Sequence, residues 1–337
     1  MMLKKEIKIC LNAPAFLGDA EQKGVWRTPP IKAMLREWWR VAAAPGVGYR
    51  HEQLRQMEGK LFGNAWLEND FSKSLVRMAL EHWKVGTLTQ HTPLSKVPHP
   101  EAEKAGLLNY LGYGPIDKGQ FKNGAALQAN EANTLSLAYP DDPANKIEQA
   151  LQLIDWFGTL GGRSRNGWGS LGLSGQSALT RQNATLTGVL RPLADCLKLD
   201  WPHAIGQDNQ GPLIWESGAS FNDWQAAMRF LAQTKIGFRV HLGFTTGKGS
   251  SQVEGRHILA YPVTNHDVRA WGGQARLANQ LRFKLFRDAS GQLRVRIYHT
   301  PHKCPLTSGM SEAQECAVWQ KIHIWLDQQA TLTRLGA

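Results

Sequence analysis

The sequence predicts an α+β protein of two units that meet near residue 175. In the first half, hydrophobic patterning gives the order strand, helix, strands, helix, strand, which is that of a ferredoxin-like βαββαβ domain. Residues 174–177 are a short run of small side chains that suits a linker. A second series of strands and helices then begins. We therefore expect domains at residues 1–175 and 176–337, the second ending in a helix.

The first unit contains three strands and three helices by these criteria. Its first helix has Thr28 as a suitable N-cap and Pro29 as a suitable first residue. The predicted elements are strands at residues 6–11, 133–139 and 168–173 and helices at 29–44, 51–62 and 145–157. Residues 86–124 are rich in Gly, Pro, Lys and His and have little periodicity, so we interpret them as an insertion.

The second unit is predicted from a mixture of strands and helices. The strands are at residues 184–190, 236–244, 280–286 and 292–298, and the helices at 222–233, with Asn222 as the cap, and 312–329. Residues 288–291 suit the hairpin turn between the last two strands. The outer face of that hairpin would show four cations, Arg282, Lys284, Arg294 and Arg296. Because adjacent like charges are destabilising unless solvent or an anion relieves them, this face is either solvated or contacts an anionic partner through Arg282 and Arg294.

Composition indicates a polyanionic partner. The 337 residues include 39 Lys and Arg against 28 Asp and Glu, which gives a net charge of +11, and both halves are basic. Such a balance favours a partner such as nucleic acid without indicating sequence specificity. The chain shows neither a signal peptide nor an apolar run long enough to span a bilayer. Its four cysteines are predicted to be free thiols of a reduced, cytoplasmic protein.

Residues 157–171, the glycine loop, hold five glycines, two arginines and a tryptophan. Glycine allows close backbone approach and positive φ. Arginine grips phosphate oxygens, and Trp168 offers a stacking face. The loop therefore suits a nucleic-acid backbone better than a small molecule, and its candidate contacts are Gly161, Gly162, Arg163, Ser164, Arg165, Asn166, Gly167 and Trp168.

The first helix carries a cationic stripe. Lys32, Arg36 and Arg40 follow one another at i, i+4 and i+8, beside an apolar face. Glu37 is the acidic residue of this stretch. A solvated polar face would explain such a stripe, but three neighbouring cations repel one another unless an anion lies along them. Together with the glycine loop, the stripe favours a phosphate-binding surface.

These two segments resemble the RAMP superfamily of CRISPR effector proteins, most closely the first RAMP subunits of type III-B Cmr complexes. The family has a Phe-Leu-Gly segment, an Arg-x-Pro-Pro/Ser-Ile-Lys-Gly-x-Leu-Arg-x-Trp-Trp-Arg helix, and a glycine-rich Arg-Ser-Arg-x-Gly-Trp/Phe-Gly-Ser loop. The matching residues here are Arg27, Pro29, Pro30, Ile31, Lys32, Leu35, Arg36, Trp38, Trp39 and Arg40, then Gly162, Arg163, Ser164, Arg165, Gly167, Trp168, Gly169 and Ser170. Ala33 stands where the family usually has glycine, and the second half of the chain matches more weakly.

The resemblance implies two tandem ferredoxin-like (RRM-like, RAMP) domains and a non-catalytic RNA-binding subunit that acts in antiviral defence. It further implies a place near the 3′ region of the CRISPR RNA. The implied partners are CRISPR RNA, target RNA and other RAMP subunits, with no cofactor and no membrane. A scaffold whose basic faces contact acidic subunits is the other non-catalytic hypothesis.

Endoribonuclease activity is the alternative function. Some RAMP relatives cut RNA with a loop aspartate before the first basic helix and a divalent metal. Asp19 lies in a comparable region, although its surroundings resemble the non-catalytic subunits more closely. Other relatives use a histidine as general base, and no motif singles out one of His51, His82, His91 and His99.

Two further motifs do not support a nucleotide site or a metal site. Residues 243–251 contain glycines around Lys248 but lack P-loop spacing, so they predict a flexible basic loop that touches RNA or a neighbouring subunit through Lys248. His299, His302 and Cys304 are close in sequence, with Cys316 as a distant fourth ligand. Without a Cys-x-x-Cys pair they are interpreted as ordinary loop residues, and no metal is predicted.

Overall fold

A computed structural model describes residues 1–65, 71–88, 97–100, 107–117, 120–122, 125–263, 265–306 and 309–336. Its helices are α1 (Thr28–Ala43), α2 (His51–Phe62), α3 (Leu107–Gly112), α4 (Ile147–Phe157), α5 (Ala184–Thr187), α6 (Leu193–Cys196), α7 (Trp224–Leu242), α8 (Gly255–Leu259) and α9 (Glu312–Asp327). The strands are β1 (Met2–Leu11), β2 (Arg77–Leu80), β3 (Ile116–Asp117), β4 (Gln120–Phe121), β5 (Ala132–Pro140), β6 (Leu171–Leu173), β7 (Leu190–Pro192), β8 (Ile205–Asp208), β9 (Gly211–Pro212), β10 (Ile214–Ser217), β11 (Leu281–Arg287), β12 (Leu293–His299) and β13 (Leu332–Arg334).

Two four-stranded antiparallel sheets organise the chain, so the α+β class is confirmed. The first sheet has the strand order β2-β5-β1-β6 and the second has the order β11-β12-β10-β13. If the four strands of each sheet are numbered in chain order, both sheets have the spatial order 2-3-1-4. In both, one long helix follows the first strand and another follows the third, α1 and α4 in one unit and α7 and α9 in the other. The two halves therefore share one topology.

The first helix begins one residue earlier than the capping argument predicts. Thr28 is already helical, and the N-cap is Arg27, whose side chain makes no capping hydrogen bond. Pro29 follows in the first turn, where its missing N–H is not needed. The buried face of α1 includes Ile31, Met34 and Trp38, and Trp38 stacks on Phe157 of α4 at 5.5 Å between ring centroids. This packing turns the cationic stripe of α1 away from the first sheet.

Two predicted strands of the second unit are wrong. Residues 236–244 alternate like a strand, but most of them continue α7, which begins after its N-cap Asp223 and runs to Leu242. Tertiary packing overrides the local pattern here, because Ile236 is buried in the core and Phe238 packs against Phe283 of β11 and Trp325 of α9. Of residues 184–190, the first four form one turn of helix, α5, and β7 starts only at Leu190.

The two units join where the outer face of the β11–β12 hairpin meets the end of α4. Arg282, Lys284 and Arg296 are buried, so the prediction that they form a solvated or RNA-facing surface is wrong. Their cations are relieved by protein groups: Arg282 pairs with Glu37 at 2.6 Å and Arg296 with Glu216. Lys284 and Arg296 also donate to carbonyl groups in the last turn of α4. A helix end with unpaired carbonyls is a favourable site for cations.

The predicted insertion lies partly outside the described residues. Within residues 86–124, the structure describes α3, the β3–β4 pair and a bridge between Leu88 and Ala126. All four cysteines are free. Among the described residues, no helix combines the length and the apolar character needed to cross a membrane.

Candidate nucleic-acid interface

A cleft of about 670 Å³ brings the two sequence motifs together. We call it the cationic cleft. It is lined by Ala33, Arg36, Glu37 and Arg40 of α1, by His51, Leu54, Arg55 and Glu58 of α2, by Arg165 of the glycine loop, and by Trp201 and Pro202 of the second unit. Four arginines and two glutamates leave its walls net positive. Segments more than a hundred residues apart in sequence thus share one surface.

The cationic stripe of α1 is held by one buried carboxylate. Glu58 accepts from Arg36 Nε at 2.6 Å and from Arg40 Nε and Nη2 at 2.7 Å each. The repulsion expected along the stripe is therefore relieved within the protein. The side chains of Arg36 and Arg40 are still 34% and 40% exposed to solvent. Since an arginine has five N–H donors, each can contact Glu58 and also offer donors to the cleft.

Lys32 lies apart from the cleft lining. Its Nζ donates at 3.0 Å to the carbonyl of Phe62, the last residue of α2. Partial burial, and then the neighbouring Arg36, lower the pKa of Lys32. A cation at a helix C-terminus is stabilising, so the structure gives this lysine a role in joining α1 to α2.

Arg165 enters the cleft from the glycine loop and lies near the ion pair of Glu37 with Arg282. Its Nη1 donates to the carbonyl of Asn279 at 3.0 Å. Burial, and then the neighbouring Arg282, lower the pKa of Arg165 to about 10, so it remains charged at neutral pH. Burial would raise the pKa of Glu37, but the guanidinium groups of Arg282 and Arg165 hold it below its usual value. Glu37 therefore faces the cleft as a carboxylate.

The glycine loop divides into an exposed and a buried part. Gly161, Gly162 and Arg163 are exposed, Ser164 and Arg165 are half-buried, and residues 166–170 are buried. Gly161 has φ +83°, and a Cβ there would lie 2.4 Å from the carbonyl oxygen of Phe16. Glycine is needed here because the backbone has a positive φ and passes close to the backbone of Phe16.

Asn166 is a buried junction between the units. Its Oδ1 accepts from Lys235 Nζ at 2.8 Å and from Asn279 Nδ2 at 2.5 Å, and its Nδ2 donates to the carbonyl of Leu111. Gly167, which follows, has φ +93° and is packed against Leu231 and Met228. Both residues are enclosed by protein atoms, which is the opposite of the exposed contacts predicted for them.

Trp168 does not offer a stacking face. The side chain is fully buried, with Phe16 at 4.8 Å and Trp224 at 5.8 Å between ring centroids. The prediction of an exposed platform at this position is wrong. An aromatic beside glycines can fill a core as readily as it can contact RNA, and sequence spacing does not distinguish the two.

Other candidate residues lie outside the cleft lining. Arg27 is half-buried directly before α1. Lys248 is exposed in the loop after α7, which is held by hydrogen bonds from Thr245 and Thr246 to Glu254. Arg294 pairs with Asp288 at 2.8 Å and keeps 34% of its side-chain exposure.

Asp19 closes a tight turn. Its Oδ1 accepts from the amides of Glu21 and Lys23 at 2.9 Å each, in the manner of an Asx turn. Among the described residues, no group of three or more His, Cys, Asp or Glu side chains could hold a metal ion. His299 is buried and its Nδ1 lies 3.0 Å from Nε2 of His323, while Cys304 donates its backbone amide to Glu315.

The sequence reasoning missed Arg55 and Trp201 of the cleft, and it considered His51 only as a candidate general base. Trp201 is half-buried and its ring centroid lies 5.6 Å from that of His51. The aromatic ring that lines the cleft is therefore that of Trp201, and the stacking face predicted at Trp168 is buried. Arg55 is one turn of α2 before Glu58, and this spacing to an acidic residue is the one sequence signal that could have pointed to it.

Comparison with known proteins agrees with this architecture. The family model of the RAMP superfamily matches residues 14–172, which include α1, α2 and the glycine loop. No curated protein matches the sequence. The apo crystal structure of Cmr1 from Pyrococcus furiosus has a TM-score of 0.49 and 14% identity, over 99% of this chain and 98% of that chain. A chain of the type III-B Cmr-β complex, solved by cryo-electron microscopy with cognate target RNA, has a TM-score of 0.50 and 12% identity, over 96% and 99%. The latter likeness shows a shared fold, and the family match makes residues 14–172 similar to the RAMP superfamily.

Proposed function

We propose that this protein is a non-catalytic RNA-binding subunit of a type III-B-like CRISPR effector complex. The observation that carries the proposal is the convergence of Arg36, Arg40 and Arg165 on one cleft with an aromatic wall. A sugar-phosphate backbone requires cationic donors along its path, and its unstacked bases require aromatic faces. The cleft offers both, from elements that the RAMP match includes.

The geometry favours phosphates over a small anionic metabolite. Arg36 and Arg40 are one helical turn apart, and Arg165 approaches from another element, so the donors are spread along the cleft. Glu37 and Glu58 keep the net charge modest, which favours loose contacts with successive phosphates. Such contacts read no base sequence, as a subunit that leaves sequence recognition to guide pairing requires.

Trp201 and His51 form the wall on which a base could stack. Their rings meet edge to face, and Trp201 is further supported by His203 at 5.0 Å. Burial lowers the pKa of His203 to about 4, so it supports the tryptophan as a neutral ring at physiological pH. We infer that an RNA strand would lie with its phosphates on α1 and one base against Trp201.

The proposal includes a place in an assembly. We propose tandem ferredoxin-like domains at residues 1–175 and 176–337, based on the strand order that both sheets share. The partners would be CRISPR RNA, through its 3′ region, target RNA and other RAMP subunits in the cytoplasm. The RAMP match and a fold shared with a chain of a target-bound Cmr-β complex support this placement.

The test is RNA binding as a function of salt. Fluorescence anisotropy with single-stranded RNA would compare the wild type with Arg36→Ala/Arg40→Ala over roughly 50–300 mM salt. Loss of two phosphate contacts should reduce the slope of log affinity against log salt by about 1.4. Lys303→Ala/Lys321→Ala, at exposed positions outside the cleft, is the charge-matched control. An equal reduction of this slope in both variants would show that net charge alone accounts for RNA binding and would contradict RNA binding in the cleft.

The non-catalytic part has a separate test. Purified protein is incubated with paired guide and target RNA and Mg²⁺. Because the Asp19 carboxylate is engaged by two backbone amides, we expect intact RNA. Cleavage at defined positions that disappears in Asp19→Ala would instead establish the metal-dependent endoribonuclease.

A further inference from the structure

A second pocket, of about 370 Å³, lies between the two units and shares no lining residue with the cationic cleft. We call it the amide pocket. Its first-unit wall includes Asn12 and Asn130, and its second-unit wall includes Phe221, Asp223, Trp224 and Arg287. The volume is at the low end of the roughly 300–1,000 Å³ typical of small-molecule sites.

Hydrogen bonds fix the orientation of both asparagine amides. Asn12 is 5% exposed, and its Nδ2 uses one of two donors on the carbonyl of Leu285 at 3.2 Å; no described residue donates to its Oδ1, so we take this acceptor as the group it offers a ligand. The Oδ1 of Asn130 accepts from Arg287 Nη2 at 2.9 Å, and no described residue accepts from its Nδ2, so we take this donor as the group it offers. The backbone N–H of Asn130 donates to the carbonyl of Leu11, the residue before Asn12, and both asparagines line the pocket. The pocket thus presents one acceptor beside one donor.

Two half-buried aromatic side chains stand beside these amides. Trp224 packs against the buried Trp168 at 5.8 Å, and Phe221 packs against Phe230 at 5.3 Å, as measured between ring centroids. The amide nitrogen of Phe221 donates to the carbonyl of Leu293 at 2.8 Å. Both rings are therefore held in place, and a fixed aromatic face is a stacking platform for any base.

The charge of the pocket argues against a phosphate as its main occupant. The lining has one cation, Arg287, and one anion, Asp223. Arg287 already donates to Asn130 and to the carbonyl of Gly291. A carboxylate on the wall would repel a phosphate, whereas a neutral heteroaromatic ring meets no such penalty.

We propose that the amide pocket binds one unpaired nucleobase that carries an amino group next to an unprotonated ring nitrogen, as adenine and cytosine do. The amino group would donate to Asn12 Oδ1, and the ring nitrogen would accept from Asn130 Nδ2. Uracil presents a carbonyl and an N–H at the corresponding edge, so it would leave a buried acceptor facing an acceptor. The ring would stack on Trp224 or Phe221.

Saturation-transfer NMR on the full-length protein tests the proposal with adenosine, cytidine and uridine as probes. We expect adenosine and cytidine to bind at least five-fold more tightly than uridine. Asn130→Gly should weaken adenosine binding at least five-fold, and its φ of +71° suits glycine, so folding is preserved. Asn265→Gly, at an exposed site with φ +62°, is the matched control and should change nothing. The proposal would be overturned if adenosine and uridine bound equally tightly, or if Asn130→Gly bound adenosine as tightly as the wild type does.

Two further arms separate this site from the cationic cleft and identify its source of bases. Arg36→Ala/Arg40→Ala should bind adenosine as the wild type does, whatever becomes of its RNA binding. Loss of adenosine binding in that variant would place the nucleoside in the cleft and overturn the proposal.

In the wild type, displacement of adenosine by adenine-containing single-stranded RNA but not by oligouridine supports a base of the bound strand. Simultaneous binding of RNA and adenosine supports a free nucleoside. Displacement by both RNAs alike would show no base selection and count against the pocket.

Discussion

Lys284 donates a 2.9 Å hydrogen bond from Nζ to the carbonyl oxygen of Ile154, and a second bond to that of Asp155. Arg296 donates to the carbonyl of Trp156 at 2.6 Å, and the hydroxyl of Tyr298 donates to that of Phe157 at 2.7 Å. Four successive carbonyls at the end of α4 thus receive donors from one sheet of the other unit. The carbonyl of Ile154 also accepts from the backbone N–H of Gly158, and the side-chain donors satisfy acceptors at a helix end where intrahelical donors run out. These bonds hold the two units together.

Replacement of Lys284 should remove a pH dependence of stability. Burial lowers the pKa of Lys284 to about 7, whereas the unfolded chain has the ordinary lysine value of about 10.4. Between these values the unfolded state binds the extra proton, so raising the pH stabilises the native state. The free energy of unfolding of the wild type minus that of Lys284→Met should therefore rise from pH 7 to 10, by on the order of 2–4 kcal/mol.

Urea titrations at several pH values measure this difference. Lys303→Met, at an exposed position, is the control and should leave the wild-type pH profile unchanged. A wild-type minus Lys284→Met difference that stays flat between pH 7 and 10 would show that Lys284 is charged in the folded protein throughout.

Neutralising Glu58 should strengthen RNA binding while it weakens the fold. Glu58 is 5% exposed and holds both Arg36 and Arg40. Glu58→Gln would leave their charge uncompensated and more available to phosphates, at a cost to stability of about 1–3 kcal/mol. RNA affinity at low salt should rise roughly three- to ten-fold, with a steeper salt dependence.

Anisotropy titrations together with thermal unfolding follow both effects. Glu52→Gln, on the exposed side of α2, removes the same charge outside the cleft and serves as the control. Weaker RNA binding by Glu58→Gln would mean that Glu58 is needed to position the two arginines for the ligand.

Shortening Trp168 should affect stability and leave RNA affinity unaltered. The side chain is fully buried between Phe16 and Trp224. Trp168→Phe would leave a void, and we expect a loss of about 1–3 kcal/mol in the free energy of unfolding. Trp83→Phe is the comparison, because Trp83 is 60% exposed and its replacement should stay within about 0.5 kcal/mol. If Trp168→Phe were as stable as the wild type but bound RNA more weakly, the prediction would be wrong and Trp168 would contact RNA.

The buried pair of His299 and His323 should make the protein sensitive to acid. Burial, modified by Asp208 and Arg334, lowers the pKa of His323 to about 3, and burial also lowers that of His299. Both are then neutral in the folded state at neutral pH, while the unfolded chain takes up protons below about pH 6.5. Stability should fall as the pH falls from about 6.5, by about 1.4 kcal/mol per pH unit for each histidine.

His323→Gln should reduce this slope by the share of one histidine, because glutamine can still hydrogen-bond but does not titrate. Urea unfolding at pH 7, 5.5 and 4.5 measures the slope, and the exposed His241→Gln is the control. If His323→Gln loses stability toward acid as steeply as the wild type, protonation of this pair is not the cause.

Local patterns in the sequence determined much of the secondary structure. Helix α2 has the predicted bounds, and the β11–β12 hairpin differs from its prediction by one residue at each end. Helix α7 shows the limit, because alternating apolar residues near its end predict a strand while packing keeps them helical. The sequence also carried the resemblance to the RAMP superfamily, since the motifs around α1 and the glycine loop are short and local. The convergence of Arg36 and Arg165 on one cleft was expected from those motifs, and the structure agrees.

Only the tertiary structure decided which polar and aromatic side chains face solvent. Arg282, Lys284 and Arg296 alternate with apolar residues as a solvated sheet face does, yet α4 covers them and its carbonyls accept their donors. Trp168 was expected outside and is core, while Trp201 lines the cleft. The physical reason is that burial depends on what a second element places against a face. A sequence pattern records the two faces of a strand or helix, but not the partner that each of them meets.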